Sequence, residues 1–255
     1  MDRVKISATV ITYNEETNIR QCLESINWVD EIIVVDAMST DRTRQIASGF
    51  TDKVFIKEWT GYRDAREFAI SKVTSDWVLS VDADERITPE LRQEINQVLV
   101  NPECDGYLIP RKAYFLGRWI KHCGWYPGYV LRLFRKDKAR VTPKLVHEGI
   151  EVKGPIGKMK NPILHYTYPT LEIYLKRLSN YTSLAATDLY RRGKRANALE
   201  IVIRPLYRFI MMYFLKLGFL DGFEGLVLCT LSSYYVFIKY LKLRELASKG
   251  TEKCS

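Results

Sequence analysis

The chain's 255 residues and 29.7 kDa leave room for one large domain, or for one domain with an appendage. A composition that is 47% hydrophobic and 27% charged can bury a sizeable core, which excludes a disordered chain. The net charge of +9 is unevenly spread: residues 1–100 hold 12 basic and 18 acidic side chains, and residues 101–255 hold 27 and 12. An acidic half suits a divalent cation, and a basic half suits anions such as phosphates, nucleic acid or an anionic membrane face.

The five cysteines (Cys22, Cys104, Cys123, Cys229 and Cys254) form no C-x-x-C pair, which argues against a disulfide scaffold or zinc ribbon and for a reducing compartment. The opening Met-Asp-Arg-Val-Lys-Ile carries charges where a secretory signal needs an apolar run, so export by that route is not expected.

The first hundred residues alternate strand and helix patterns. Ile6 to Thr12 is rich in β-branched residues and ends in Tyr13-Asn14-Glu15; Thr17 can then cap a helix with Ile19, Leu23 and Ile26 on one face. Glu31 to Val35 is a second strand, ending at Asp36. A short helix starting at Ser39 or Asp41 closes at Gly49. Val54–Ile56 predicts a third strand, followed by a helix around Phe68 and Ile70 that Asp64 can cap. Trp77 to Val81 predicts a fourth, ending in Asp82-Ala83-Asp84, and Thr88-Pro89-Glu90 is a strong helix start. Such alternation predicts an α/β fold with a doubly wound, mostly parallel sheet, in which ligands bind at the carboxyl ends of strands. Glu15, Asp36 and the Asp82/Asp84 pair all stand at such ends.

Beyond residue 105, short β-like pieces at Gly106–Pro110, Tyr129–Phe134, Val146–Val152 and Ile163–Tyr166 extend the sheet. From Leu171 the chain reads as helical: an amphipathic helix to Tyr190, a basic hinge Arg191-Arg192-Gly193-Lys194-Arg195, then apolar helices about Ile201–Leu217 and Phe223–Leu243. The expected domains are residues 1–168, which carry the loaded strand ends, and residues 169–255, a basic helical extension.

Asp82-Ala83-Asp84 follows a buried strand, so one carboxylate can meet a ribose and the other a divalent metal, Mg2+ or Mn2+. Asp36 can accept a hydrogen bond from a base N–H, and Tyr13 can pack beside a base. The plain reading of each is a solvated turn or a core lid. Three segments together resemble the ordered signatures of the family 2 glycosyltransferases with the A-type fold: Val10 to Glu15, Val34 to Thr43 and Asp76 to Glu85. Val130 to Lys136, Val146-His147-Glu148 and Leu164-His165-Tyr166 resemble a narrower branch, which includes bacterial enzymes that add a hexose to the lipopolysaccharide inner core.

The resemblance implies a UDP-sugar or similar nucleotide-sugar donor, inversion at the anomeric carbon, and a glycosyltransferase A sheet with a C-terminal helical extension. It implies that Thr12, Glu15 and Asp36 contact the base, Asp82 the ribose and Asp84 the metal. Arg66 stands where the family often has a lysine, and Glu67 where it often has an asparagine. The Q-x-x-R-W signature of processive members is absent, so one sugar per encounter is expected. Inversion needs one base for the acceptor hydroxyl, for which Glu148 is the first candidate and Glu85 the second. His147 and His165 are candidate metal or phosphate contacts with Asp82 and Asp84, and Arg132 and Arg135 candidate phosphate clamps.

The 14 uncharged residues Gly225 to Ile238 are fewer than the roughly 20 a spanning helix needs. Basic residues beside apolar, aromatic helices instead suit a helix pair lying on the inner face of the cytoplasmic membrane. The competing expectation is a hairpin packed on the catalytic domain or on a second copy, giving a homo-oligomer. The expected acceptor is a lipid-linked saccharide; a polyprenyl phosphate and a non-catalytic, basic membrane-binding module are the alternatives. No nucleic-acid-binding signature is present, so nucleic acid is not an expected partner. A sugar nucleotidyltransferase is disfavoured, because no Gly-rich phosphate loop follows the first strand.

Overall fold

Four strands lie parallel in the order β3-β2-β1-β4: β1 Ile6–Thr12, β2 Glu31–Asp36, β3 Val54–Ile56 and β4 Trp77–Asp82. The computed structural model describes residues 4–141 and 149–252, with 249–252 described by backbone alone. Side chains alternate along these strands and feed two cores. Ile6, Ala8, Val10, Leu79 and Val81 face one, with α1 (Ile19–Ile26) and α4 (Pro89–Val98). Ile33, Val35 and Val78 face the other, with α3 (Tyr62–Ser71). Covering both faces is what a doubly wound sheet requires. Between β2 and β3 lies the short α2 (Thr43–Ser48), closed by Gly49.

The sheet continues as β4-β8-β6-β12-β5, comprising β5 Glu85–Ile87, β6 Gly106–Phe115, β8 Gly128–Arg135 and β12 Ile163–Tyr168. Strand β8 is antiparallel to both β4 and β6. The short β7 (Arg118–Trp119) and β11 (Ile156–Lys158) pair with β6, and β9 (Ala139–Val141) pairs with β10 (Ile150–Val152). Strand β5 was not expected. It forms because Glu85 pairs with His165 of β12 in an antiparallel ladder.

Helix starts show which caps prevailed. Thr88 accepts from Leu91 N at 3.1 Å, as its sequence context predicts. Helix α1 starts after Asn18 rather than Thr17, without a side-chain cap, because the Asn18 amide serves Glu15 (2.7 Å) and Arg86 (3.1 Å) instead.

The chain divides into two compact units. One runs to Lys112 and resumes at Gly128–His165; the other comprises Ala113–Pro127 and the chain from Tyr166 onward. The second unit contains α5 (Leu171–Arg191), α6 (Ala198–Ile210) and α7 (Gly222–Glu252) around a core of Phe115, Ile120, Tyr174, Leu178, Met212 and Leu228. Asn197 and Glu200 form a reciprocal capping box at the start of α6. The buried Asp221 carboxylate accepts from His122 N (2.8 Å) and Lys121 N (3.2 Å), fastening the 113–127 excursion to the start of α7. Gly225 lies there because a Cβ would come 2.1 Å from the Gly218 carbonyl oxygen.

The stretch Gly218–Ser248 is the one described helical segment long and apolar enough, by length and composition, to cross a membrane. It runs further than its uncharged centre predicts. Lys242 is accommodated by Ser179 O (2.9 Å), Thr182 Oγ1 (2.9 Å) and Ser183 Oγ (2.8 Å) on α5, and Lys239 lies over the rings of Tyr235 and Tyr240.

Candidate functional site

In register, Thr12 of β1 stands beside Asp36 of β2, and Ile11 beside Asp82 of β4, so the expected groups reach one edge of the parallel strands. The loops leaving β1 and β2 are joined to each other. Asn14 N donates to Ser39 Oγ (2.8 Å), Thr40 N to Asn14 Oδ1 (2.8 Å), Glu15 N to Thr43 Oγ1 (2.8 Å) and Glu16 N to Asp41 Oδ2 (3.2 Å). Each loop contains a non-glycine residue in the left-handed region, Asn14 at φ 51° and Met38 at φ 62°. Such backbone persists only where surrounding contacts hold it.

Asp36, expected to contact a base, also holds its own turn. Its side chain is fully buried, and both carboxylate oxygens accept from Ser39, one from the backbone N–H and one from the hydroxyl. It shapes the turn after β2. Tyr13, by contrast, is 57% exposed on the same edge, free to cover a flat ring. Thr12 is buried, and its hydroxyl has no hydrogen-bond partner among the described residues.

At the end of β4, Asp82 accepts from Arg66 Nη2 (3.1 Å) and from Arg132 of β8. Arg132 Nη2 also donates to Glu85 Oε1 (2.7 Å), and Glu85 Oε2 accepts from Asp82 N (3.0 Å). Burial works against the charge of Asp82, but Arg132 and Arg66 hold its carboxyl well below the usual range. Burial likewise opposes the Arg132 charge, and Asp82 and Glu85 more than restore it. The side chain of Asp82 keeps 33% of its surface exposed, enough for a ligand hydroxyl. Glu85, the second base candidate, has no exposed surface, and both its oxygens are engaged.

The ladder between β5 and β12 brings His165 Nε2 to 3.4 Å from Asp84 Oδ1. Burial pushes the imidazole pKa down, but the Asp84 carboxylate, with Glu85, raises it above its ordinary value. Neighbouring donors on one octahedral ion with bonds of about 2.1 Å lie roughly 3 Å apart, so an oxygen and a nitrogen at this spacing fit one divalent cation. No larger group of His, Cys, Asp or Glu converges among the described residues. The remaining positions of such an ion would fall to ligand oxygens. The Asp82 carboxylate, also expected to reach a metal, is held by the two guanidiniums of Arg66 and Arg132.

Arg111 of β6 joins this corner and was missed from the sequence. Burial, then the nearby Arg132, depresses its pKa, and it makes no hydrogen bond or ion pair among the described residues. Nothing local marks it, because β6 reaches the corner only through pairing with β8. Arg135 is corrected in the other direction. It pairs with Trp77 at the opposite end of β4 and faces Asp105 (3.9 Å) and Asp137 (3.4 Å), so it cannot clamp a ligand beside Asp82. His147 and Glu148 lie outside the described residues.

The glycosyl transferase family 2 model matches residues 7–152. An uncharacterized glycosyltransferase of Rickettsia typhi is 31% identical over 263 residues, covering 96% of this chain and 89% of its own. The lipopolysaccharide core biosynthesis glycosyltransferase LpsC of Rhizobium meliloti is 28% identical, covering 94% of this chain and 92% of its own. Among solved structures, the mannosyltransferase PcManGT from Pyrobaculum calidifontis, in complex with GDP-Man and Mn2+, superposes with a TM-score of 0.56 at 15% identity, covering 95% of this chain and 88% of that one. The carboxyl-end corner therefore lies in a glycosyltransferase A fold, and the chain belongs to glycosyltransferase family 2.

Proposed function

We propose that the chain moves a hexose from a UDP-sugar to a lipid-linked saccharide, with inversion, and that the acceptor is a lipopolysaccharide core. The observation that carries the donor half is the Asp84–His165 pair standing beside Asp82 in a corner with three guanidiniums. Arg66, Arg111 and Arg132 roughly balance Asp82, Asp84 and Glu85, so a diphosphate arriving there would still need added positive charge. A divalent ion on Asp84 and His165 supplies that charge when bound. Arg111 is the spare guanidinium for the diphosphate, and the Nε–H groups of Arg66 and Arg132, without a partner among the described residues, are further donors in the same corner. Asp82 offers its exposed carboxylate edge to the ribose, and Tyr13 covers the base.

With Glu85 fully engaged, the proton of the acceptor hydroxyl is assigned to Glu148. Glu148→Gln should leave donor binding unchanged and lower turnover by about 10²-fold or more, the usual size of a general-base effect. The acceptor reading is supported by the near full-length similarity to LpsC. In this reading the first unit binds donor and metal and the helical unit handles the acceptor.

The test is a calorimetric titration of a UDP-hexose panel into the purified chain, with Mn2+ and with chelator. Metal-dependent binding of one UDP-sugar is the expected result. A folded chain that binds no UDP-sugar under either condition would sink the donor assignment.

A further inference from the structure

Helix α6 is apolar on two faces, and only one of them is covered. Ile201, Pro205 and Met212 point inward and are buried. Leu199, Val202, Leu206, Ile210 and Phe214 recur every three or four residues on the other side, along α6 and into the π-helical turn Met211–Leu215 that follows. They are 66%, 65%, 59%, 42% and 53% exposed. A water-facing helix ordinarily presents polar residues there, and a continuous exposed apolar stripe of this length marks an interaction surface.

The charges around the stripe indicate what covers it. From Arg191 to Lys216 there are seven basic residues and one acid. The acid, Glu200, is held by Arg204 at 2.6 Å, and Arg191, Arg192, Lys194 and Arg195 stand exposed just before the helix. A second copy of the chain would bring this positive charge against itself, whereas an anionic bilayer offers the opposite sign together with an apolar layer. Helix α7 is tied into the unit on its inner side, where Lys242 bonds to α5 and Ser233 Oγ donates to the Pro205 carbonyl (2.8 Å).

We infer that the outer face of α6 and its π-helical turn is a docking surface for an anionic lipid bilayer, lying in the plane of the interface with the stripe among the acyl chains and the Arg191–Arg195 cluster among the headgroups. This deepens the lipid-linked acceptor reading by giving the enzyme a means of meeting that acceptor where it resides. It does not depend on the identity of the donor.

The experiment is co-sedimentation of the purified full chain with phosphatidylethanolamine/phosphatidylglycerol vesicles and with pure phosphatidylcholine vesicles, followed by alkaline carbonate extraction. Binding to the anionic vesicles, weakened by salt and released by carbonate, is expected. The double variant Leu206→Glu, Ile210→Glu should bind at least about tenfold more weakly while keeping its circular dichroism spectrum, since both positions are exposed. The triple variant Arg192→Gln, Lys194→Gln, Arg195→Gln should also weaken binding and flatten its salt dependence. Undiminished vesicle binding by the double variant would overturn the surface assignment, and retention after carbonate would replace it with an inserted helix. A solution dimer that the double variant splits, without vesicle binding, would make a second copy the occupant. Donor titration of the same preparations separates the readings: vesicle binding without donor binding defeats the catalytic proposal and leaves this one standing.

Discussion

At the amino-terminal end of β2, Glu31 is a buried carboxylate whose contacts are complete. Ser7 Oγ, Lys53 Nζ, Thr74 N (3.0 Å) and Thr74 Oγ1 (3.1 Å) all donate to it. At the carboxyl end of β4, the buried Glu85 and the part-exposed Asp82 also lie among cations, yet there the cations are in excess of their bonds. Among the described residues, Arg66 and Arg132 keep unpartnered Nε–H groups and Arg111 has no ion pair, and Asp84 shares a ligand-like spacing with His165. Both ends hold charge below the surface. A saturated cluster fastens strands together, whereas an unsaturated one has capacity left for a ligand.

That contrast breaks most decisively at Asp84. Asp84→Ala should lower metal-dependent turnover by about 10²–10³-fold or more, the size of effect seen when one stabiliser of transition-state charge is removed, with the melting temperature nearly unchanged. Steady-state assays with a Mn2+ titration check it, and near-wild-type turnover would remove the metal role. Arg111→Gln comes next. Hydrogen bonds to charged groups contribute about 1.5–3 kcal/mol, so UDP should bind roughly 10–100-fold more weakly, and calorimetry reads this directly. An unchanged UDP affinity would return Arg111 to a structural role.

The smallest effect belongs to the other end and should leave activity alone. Burial works to raise the Glu31 pKa, but Lys53, Ser7 and Thr74 together lower it from 4.5 to about 2. The unfolded chain then binds a proton more readily than the folded one. The contribution, on the order of 2–3 kcal/mol, is fully present above pH 4.5 and is lost as pH falls from there toward 2. Glu31→Gln should cost about 1–3 kcal/mol at neutral pH and flatten the acid dependence of the melting temperature. An equal slope in both proteins would mean that other carboxylates govern acid unfolding.

Much of this was legible in the sequence, for local reasons. β-branched runs ending in Thr12, Asp36 and Asp82 fix strands whose ends must coincide once the sheet is parallel, and Thr88-Pro89-Glu90 carries its helix start in three residues. What escaped depends on long-range pairing. The strand at Glu85–Ile87 exists only through β12, and with it the approach of His165 to Asp84. Arg111 arrives through β8, and the same antiparallel ladder carries Arg135 away to the far end. The turn-holding role of Asp36 also escaped, because a carboxylate at a strand end looks alike whether it faces a ligand or its own turn. Only its burial and its bonds to Ser39 distinguish the two. The exposed stripe on α6 was legible as apolar periodicity, but periodicity does not say which of two apolar faces is covered.

The hydrogen bonds that join the β1 and β2 exit loops bear on the thermodynamics of donor capture. Loops that must be ordered on binding typically forfeit about 0.5–1.5 kcal/mol for each immobilised side chain. Here Asn14, Ser39, Thr40, Asp41 and Thr43 already hold one another before any nucleotide arrives. Little conformational entropy remains to be lost on that side of the corner. For the proposed nucleotide-sugar donor, binding would then require little loop folding on that side, and its calorimetric enthalpy would report chiefly the nucleotide's own contacts.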